Sequence, residues 1–105
     1  MNNLTGLEAK HVPKLLLPPT ISAGQPFALK VQVGQSMHPI ERQHYIEWVE
    51  VFLGEVWIAQ VFFSAVRTQP KTELSLILTE PATIRVQAMC NIHGMWEHAV
   101  EASVS

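Results

Sequence analysis

The chain has 105 residues, a formal net charge of −2 and 15% charged residues against 48% hydrophobic ones. That length is expected to form one domain spanning residues 1–105, burying roughly 65% of its unfolded surface. The charge content falls below the ~25% of ordinary soluble domains, so a homo-oligomer, dimer or tetramer, is expected. A single cysteine excludes an internal disulfide framework and a four-cysteine metal site, and the lack of a basic patch argues against nucleic acid as a partner.

Residues 1–10 are polar and mixed, a loose arm with Gly6 inside it. They lack the basic head and apolar run of a signal peptide, which suggests a cytoplasmic protein. Pro13 restricts Val12 to extended backbone, predicting that His11 lies on a rigid, strand-like segment. Pro18-Pro19 marks a bend. Over residues 26–33, Phe27, Leu29, Val31 and Val33 alternate with Ala28, Lys30 and Gln32, the period-two pattern of a half-buried strand.

His38 and His44 follow, six residues apart, with Pro39 against a helix that would include His38. A loop can turn both imidazoles toward one point, whereas a helix would set them on different faces. His44 opens a strand rich in β-formers: Tyr45, Ile46, Trp48, Val49, Val51 and Phe52. Gly54-Glu55 is a turn. Residues 56–66, with polar breaks only at Gln60 and Ser64, read as a strand buried on both faces. The run is far short of the ~20 apolar residues that cross a membrane, so no membrane association is expected. Residues 68–71 break the run, 72–79 form another strand, and Glu80-Pro81 another turn.

In residues 83–90, Ile84, Val86, Ala88 and Cys90 share the parity of the core, while Arg85 and Gln87 face solvent. The last strand, 96–104, sets Trp96, His98, Val100, Ala102 and Val104 against Glu97, Ala99, Glu101 and Ser103. No long stretch carries helical periodicity. About seven short strands separated by Pro and Gly turns predict an all-β fold, an antiparallel β-sandwich.

The chemistry centres on Cys90 and His93, two metal-ligand types at a spacing that lets them share one ion. His11, His38 and His44 bring the candidate ligands to five, all at strand ends or in loops, where distant parts of a sandwich can converge. His98 follows the core parity of its strand and reads as a packed residue.

Three segments now resemble one family. Lys10-His11-Val12-Pro13, then His38-Pro39 with His44-Tyr45-Ile46-Glu47-Trp48, then Cys90-Asn91 with His93-Gly94 and Trp96 are similar, in the same order, to motifs of superoxide reductases of the neelaredoxin and desulfoferrodoxin family. The resemblance implies an immunoglobulin-like sandwich holding one mononuclear non-haem iron, with His11, His38, His44 and His93 equatorial and Cys90 axial. It implies one-electron reduction of superoxide to hydrogen peroxide, with a rubredoxin-like protein as electron donor. Lys10, beside a ligand, is the candidate for attracting the anion and organising the water that protonates the product. This chain departs from the family at Ala9, where a Glu is usual. Glu8 is adjacent but, on an extended segment, would point to the opposite side. The single cysteine and short length imply the one-iron form.

Two other readings use the same residues. A type 1 copper electron-transfer site would take Cys90, His93 and Met95, but one residue between His93 and Met95 is tight for an axial return, and two of the motif histidines would be left without a role. Structural zinc needs only four ligands, so a fifth counts against it.

Overall fold

A computed structural model describes residues 6–34 and 37–105 of the chain. Seven strands and one short helix make up its regular structure: α1 (Gly6–His11), β1 (Pro13–Leu16), β2 (Pro26–Val33), β3 (Ile46–Leu53), β4 (Val56–Phe62), β5 (Lys71–Ile77), β6 (Ala82–Cys90) and β7 (Gly94–Ala102). All pairings are antiparallel, in two sheets of order β1-β2-β5 and β4-β3-β6-β7. This is the immunoglobulin-like sandwich, in the variant where the fourth strand returns to the third through a hairpin rather than joining the opposite sheet. Gly54 makes that hairpin possible, since its φ of +59° lies in the left-handed region.

The core lies between the sheets, where alternation sends one residue of every two. Leu29, Val31 and Val33 of β2 meet Val49 and Val51 of β3 and Ile84, Val86 and Ala88 of β6, all buried. Cys90 ends the inward series of β6, so the thiol is the last core residue before the chain leaves the sheet.

Three expectations need correction. His11 ends a helix rather than lying on a strand, because a single helical turn lets its Nδ1–H donate to the Leu7 carbonyl at 2.7 Å. Pro13 then begins the strand. The rest of the expected loose arm, residues 1–5, lies outside the described residues. The strand expected over residues 56–66 stops at Phe62 and is an edge strand, with Val56, Trp57 and Phe62 exposed. His44 sits in the loop before β3 rather than opening it.

Candidate metal centre

Each histidine of the cluster is aimed by a contact of its own backbone or ring. On α1, donation to Leu7 uses the Nδ1–H of His11 and leaves Nε2 as the outward lone pair, since a carbonyl can only accept. His38 follows β2, and its amide donates to the Val33 carbonyl at 2.9 Å. Its Nδ1–H donates to the Pro39 carbonyl, again freeing Nε2. The loop around His44 is closed by two reciprocal backbone bonds with Glu41, of 2.8 and 3.2 Å. At the same end of the sheet, where Ile46 pairs with Cys90, Gly94 takes a φ of +80° and pairs with Cys90, which turns His93 back over the sulfur. The His93 amide lies 3.4 Å from Cys90 Sγ.

These segments converge. His11 Nε2 is 3.1 Å from His38 Nε2 and 3.2 Å from His93 Nδ1. Cys90 Sγ is 3.5 Å from His38 Nε2 and 3.9 Å from His93 Nδ1. The donor atoms of His11, His44, Cys90 and His93 all lie within 4.8 Å of one another. Ring centroids trace a near-square. Neighbours along its edge, in the order His11, His38, His44, His93, are 4.6, 4.6, 5.1 and 4.8 Å apart, and the His11–His44 diagonal is 6.2 Å. Adjacent rings are turned 71–82° from each other, so nitrogens rather than faces meet at the centre.

The spacing suits one ion. Metal–nitrogen bonds of about 2.1 Å at right angles put neighbouring nitrogens about 3.0 Å apart, close to the 3.1 and 3.2 Å found. A further sign is His44 Nε2, which is buried and has no hydrogen-bond partner among the described residues. A buried polar nitrogen left unpaired costs about 1–3 kcal/mol, and coordination would relieve it. Electrostatics agree. Burial lowers the pKa of His11 from its ordinary value, with the neighbouring His93, His44 and Lys10 adding to the effect against the Leu7 bond. Burial likewise pushes His38 down to about 4, the bond to Pro39 opposing. Both rings are therefore neutral at pH 7, the form that binds metal.

The remaining candidates are not among the grouped donor atoms. Lys10 is exposed on α1, next to His11. Ala9 is half-buried. Because this segment is helical, Glu8 shares a face with His11 three residues on, which removes the argument that it must point away. His98 is half-buried on β7, and its Nδ1–H donates to the Pro13 carbonyl at 2.8 Å, tying the two sheets together.

Two residues of the site stood in the sequence only as motif positions, with no role read for them. Trp96 stacks on the His11 ring at 5.0 Å and 26°, and its Nε1–H donates to the His93 carbonyl at 3.2 Å. Asn91 joins the Cys90–His93 turn to the His44 loop: its Oδ1 accepts from the Tyr45 amide at 2.9 Å and its Nδ2–H donates to the Gln43 carbonyl at 3.0 Å. An Asn in a turn was visible; the strand that it clasps was not.

Comparison with known proteins gives a consistent picture. The family model for desulfoferrodoxin matches residues 3–99. The chain is 31% identical to a Methanocaldococcus jannaschii protein over 107 residues, covering 96% of this chain and 89% of the relative. It is 30% identical to the superoxide reductase of Pyrococcus furiosus over 110 residues, covering 87% and 86%. Among solved structures, superoxide reductase (neelaredoxin) from Ignicoccus hospitalis superposes with a TM-score of 0.83 at 32% identity, over 90% of this chain and 81% of that one.

Proposed function

The chain belongs to the desulfoferrodoxin family, and from that premise we propose that it is a superoxide reductase using one mononuclear iron held by His11, His38, His44, His93 and Cys90. The observation that carries the reading is the buried Nε2 of His44, which has no hydrogen-bond partner among the described residues and belongs to a near-square of imidazoles beside a thiol. When bound, iron supplies one electron to each superoxide and is reset by a separate donor, for which a rubredoxin-like carrier is the fitting class.

The protein's own part is to hold donors and manage charge. Imidazoles suit iron, and a thiolate adds electron density to it. The Nδ1–H bonds of His11 and His38 lock ring tautomer and orientation, as partners behind a ligating histidine commonly do. The His93 amide beside Cys90 Sγ moderates the charge on the sulfur. Lys10, exposed beside His11, draws the superoxide anion toward the cluster and orders the water that delivers two protons to the product.

Copper and zinc fit less well. Met95 pairs with Met89, one step out of phase with the inward Ala88 and Cys90, so it faces away from the sulfur it would have to oppose. His38, close to both His11 and Cys90, is a fifth donor beyond zinc's usual four. Metal analysis of the purified protein tests this proposal: one iron per chain is expected, and stoichiometric copper or zinc with inactive iron-loaded protein would overturn it.

A further inference from the structure

The five candidate ligands come from both sheets, so their square depends on how the sheets meet at this end of the sandwich. His11 precedes β1 and His38 follows β2, both strands of the three-stranded sheet. His44 precedes β3, Cys90 ends β6 and His93 immediately precedes β7, all strands of the four-stranded sheet. Two edges of the square therefore cross from sheet to sheet. His38 and His44, on one of them, are joined by a loop and stand six residues apart. His11 and His93, on the other, are 82 residues apart, and no short length of chain fixes that edge.

Side chains of β7 span it instead. β1 and β7 are edge strands of their sheets. β7 turns Trp96 and His98 inward, opposite the buried Ala88 and Val86, and Ala88, with only a methyl group, leaves space for the indole. Trp96 stacks on His11 with ring centroids 5.0 Å apart and planes 26° apart, while its Nε1–H donates to the His93 carbonyl at 3.2 Å. One side chain thus touches both neighbours. His98 grips the same segment just past His11, through the 2.8 Å bond from its Nδ1–H to the Pro13 carbonyl. His11 needs such support, because its six-residue helix is too short to be stable alone. The bond to Leu7 orients the ring within that helix but does not hold the helix against β7.

We propose that Trp96 is a positioning residue of the metal centre, setting the His11 ring square to that of His93. The proposal rests on reading the cluster as a metal site, and not on which substrate the metal serves. The His11 and His93 rings lie 4.8 Å apart at 82°, and they present nitrogens to one point only while that relation is kept. The indole acts on both sides of it. Its flat face blocks rotation of the imidazole toward β7, and its hydrogen bond ties the blocking ring to the backbone of the second ligand. Tryptophan suits the task, as a broad, rigid ring with a single donor at its edge.

Chelator competition with Fe(II) and Co(II) on the full chain tests this, with the ligand-field absorption of bound cobalt reporting the arrangement of the donors. Trp96→Leu loses the ring contact and the hydrogen bond. It is expected to weaken binding about thirtyfold and to shift the cobalt bands. Trp96→Phe keeps the stack and loses only the hydrogen bond, so it should recover most of the affinity and stay about fivefold below wild type. A role in packing alone would lower the denaturant midpoint of the metal-free protein but leave affinity and cobalt spectrum of the folded variants at wild-type values. That result overturns the proposal. Should Trp96→Leu fail to fold, judged by far-ultraviolet dichroism, Trp96→Phe decides: binding about fivefold weaker supports the proposal, and binding equal to wild type overturns it. A wild-type chain that binds no metal overturns the proposal and the reductase reading together. One that binds metal with these variant effects, yet leaves superoxide unreduced, removes the reductase reading and upholds the role of Trp96.

Discussion

Asn91→Ala tests whether the two loops of the centre are held in register by one side chain. Asn91 makes two side-chain hydrogen bonds across the gap, to the Tyr45 amide and the Gln43 carbonyl, while its own amide bonds the Tyr45 carbonyl at 3.1 Å. Alanine keeps only the backbone bond. Both lost bonds are solvent-exposed, so each contributes at the low end of the usual range, about 0.5 kcal/mol, and together about 1 kcal/mol. For a chain of this size that lowers Tm by about 4 °C. The same loops carry His44 and His93, so metal affinity should fall about tenfold, as when partners behind metal ligands are removed. Asn91→Asp keeps the acceptor for Tyr45 and loses the donor to Gln43, so it should fall between. Calorimetry of the metal-free protein and iron competition against a chelator measure the two effects. An Asn91→Ala protein that matches wild type in both would refute the clasp.

Other consequences follow from the same residues. Cys90→Ser should abolish thiolate-to-iron charge-transfer colour and reductase activity, because an alcohol cannot replace thiolate donation; retained colour would remove Cys90 from the centre. Lys10→Ala should slow the second-order reaction with superoxide and flatten its dependence on ionic strength, since salt screens the attraction. An unchanged rate and salt slope would move that role to another cation, Lys14 or Arg42. The metal-free protein should lose stability in acid. His38 titrates near 6.5 when unfolded and about 4 when folded, so the unfolded chain binds the proton first as pH falls. Stability is complete above pH 6.5 and drops by up to about 3 kcal/mol by pH 4, with His11 adding in the same direction. Denaturant midpoints measured from pH 7 to 4 check the sign, and a flat profile would show that the two rings charge without cost in the fold.

Where the sequence was readable, a single physical signal dominated. Residues 26–33 alternate because β2 is the central strand of its sheet, with one face on the core and one in solvent. The inward parity of Ile84, Val86, Ala88 and Cys90 followed for the same reason. Residues 56–66 misled because Val56, Trp57 and Phe62 are apolar yet exposed, and an apolar outer face imitates burial on both sides. The six-residue α1 is too short for a 3.6-residue period to accumulate, and a side-chain bond from His11 to Leu7 helps hold it. Ligand types were visible at His11, His38, His44, Cys90 and His93, but their square arrangement depends on pairings such as Cys90 with Gly94 and Ile46 with Cys90, which no local pattern encodes.

The central claim is reduction of superoxide, and product stoichiometry tests it most directly. Reduced, iron-loaded protein is mixed anaerobically with a known, substoichiometric amount of superoxide, and peroxide and oxygen are both measured. Reduction predicts one peroxide for each superoxide consumed, one iron oxidised for each, and no oxygen. Half a peroxide with half an oxygen per superoxide, and iron left in its starting state, would mean dismutation and contradict the account.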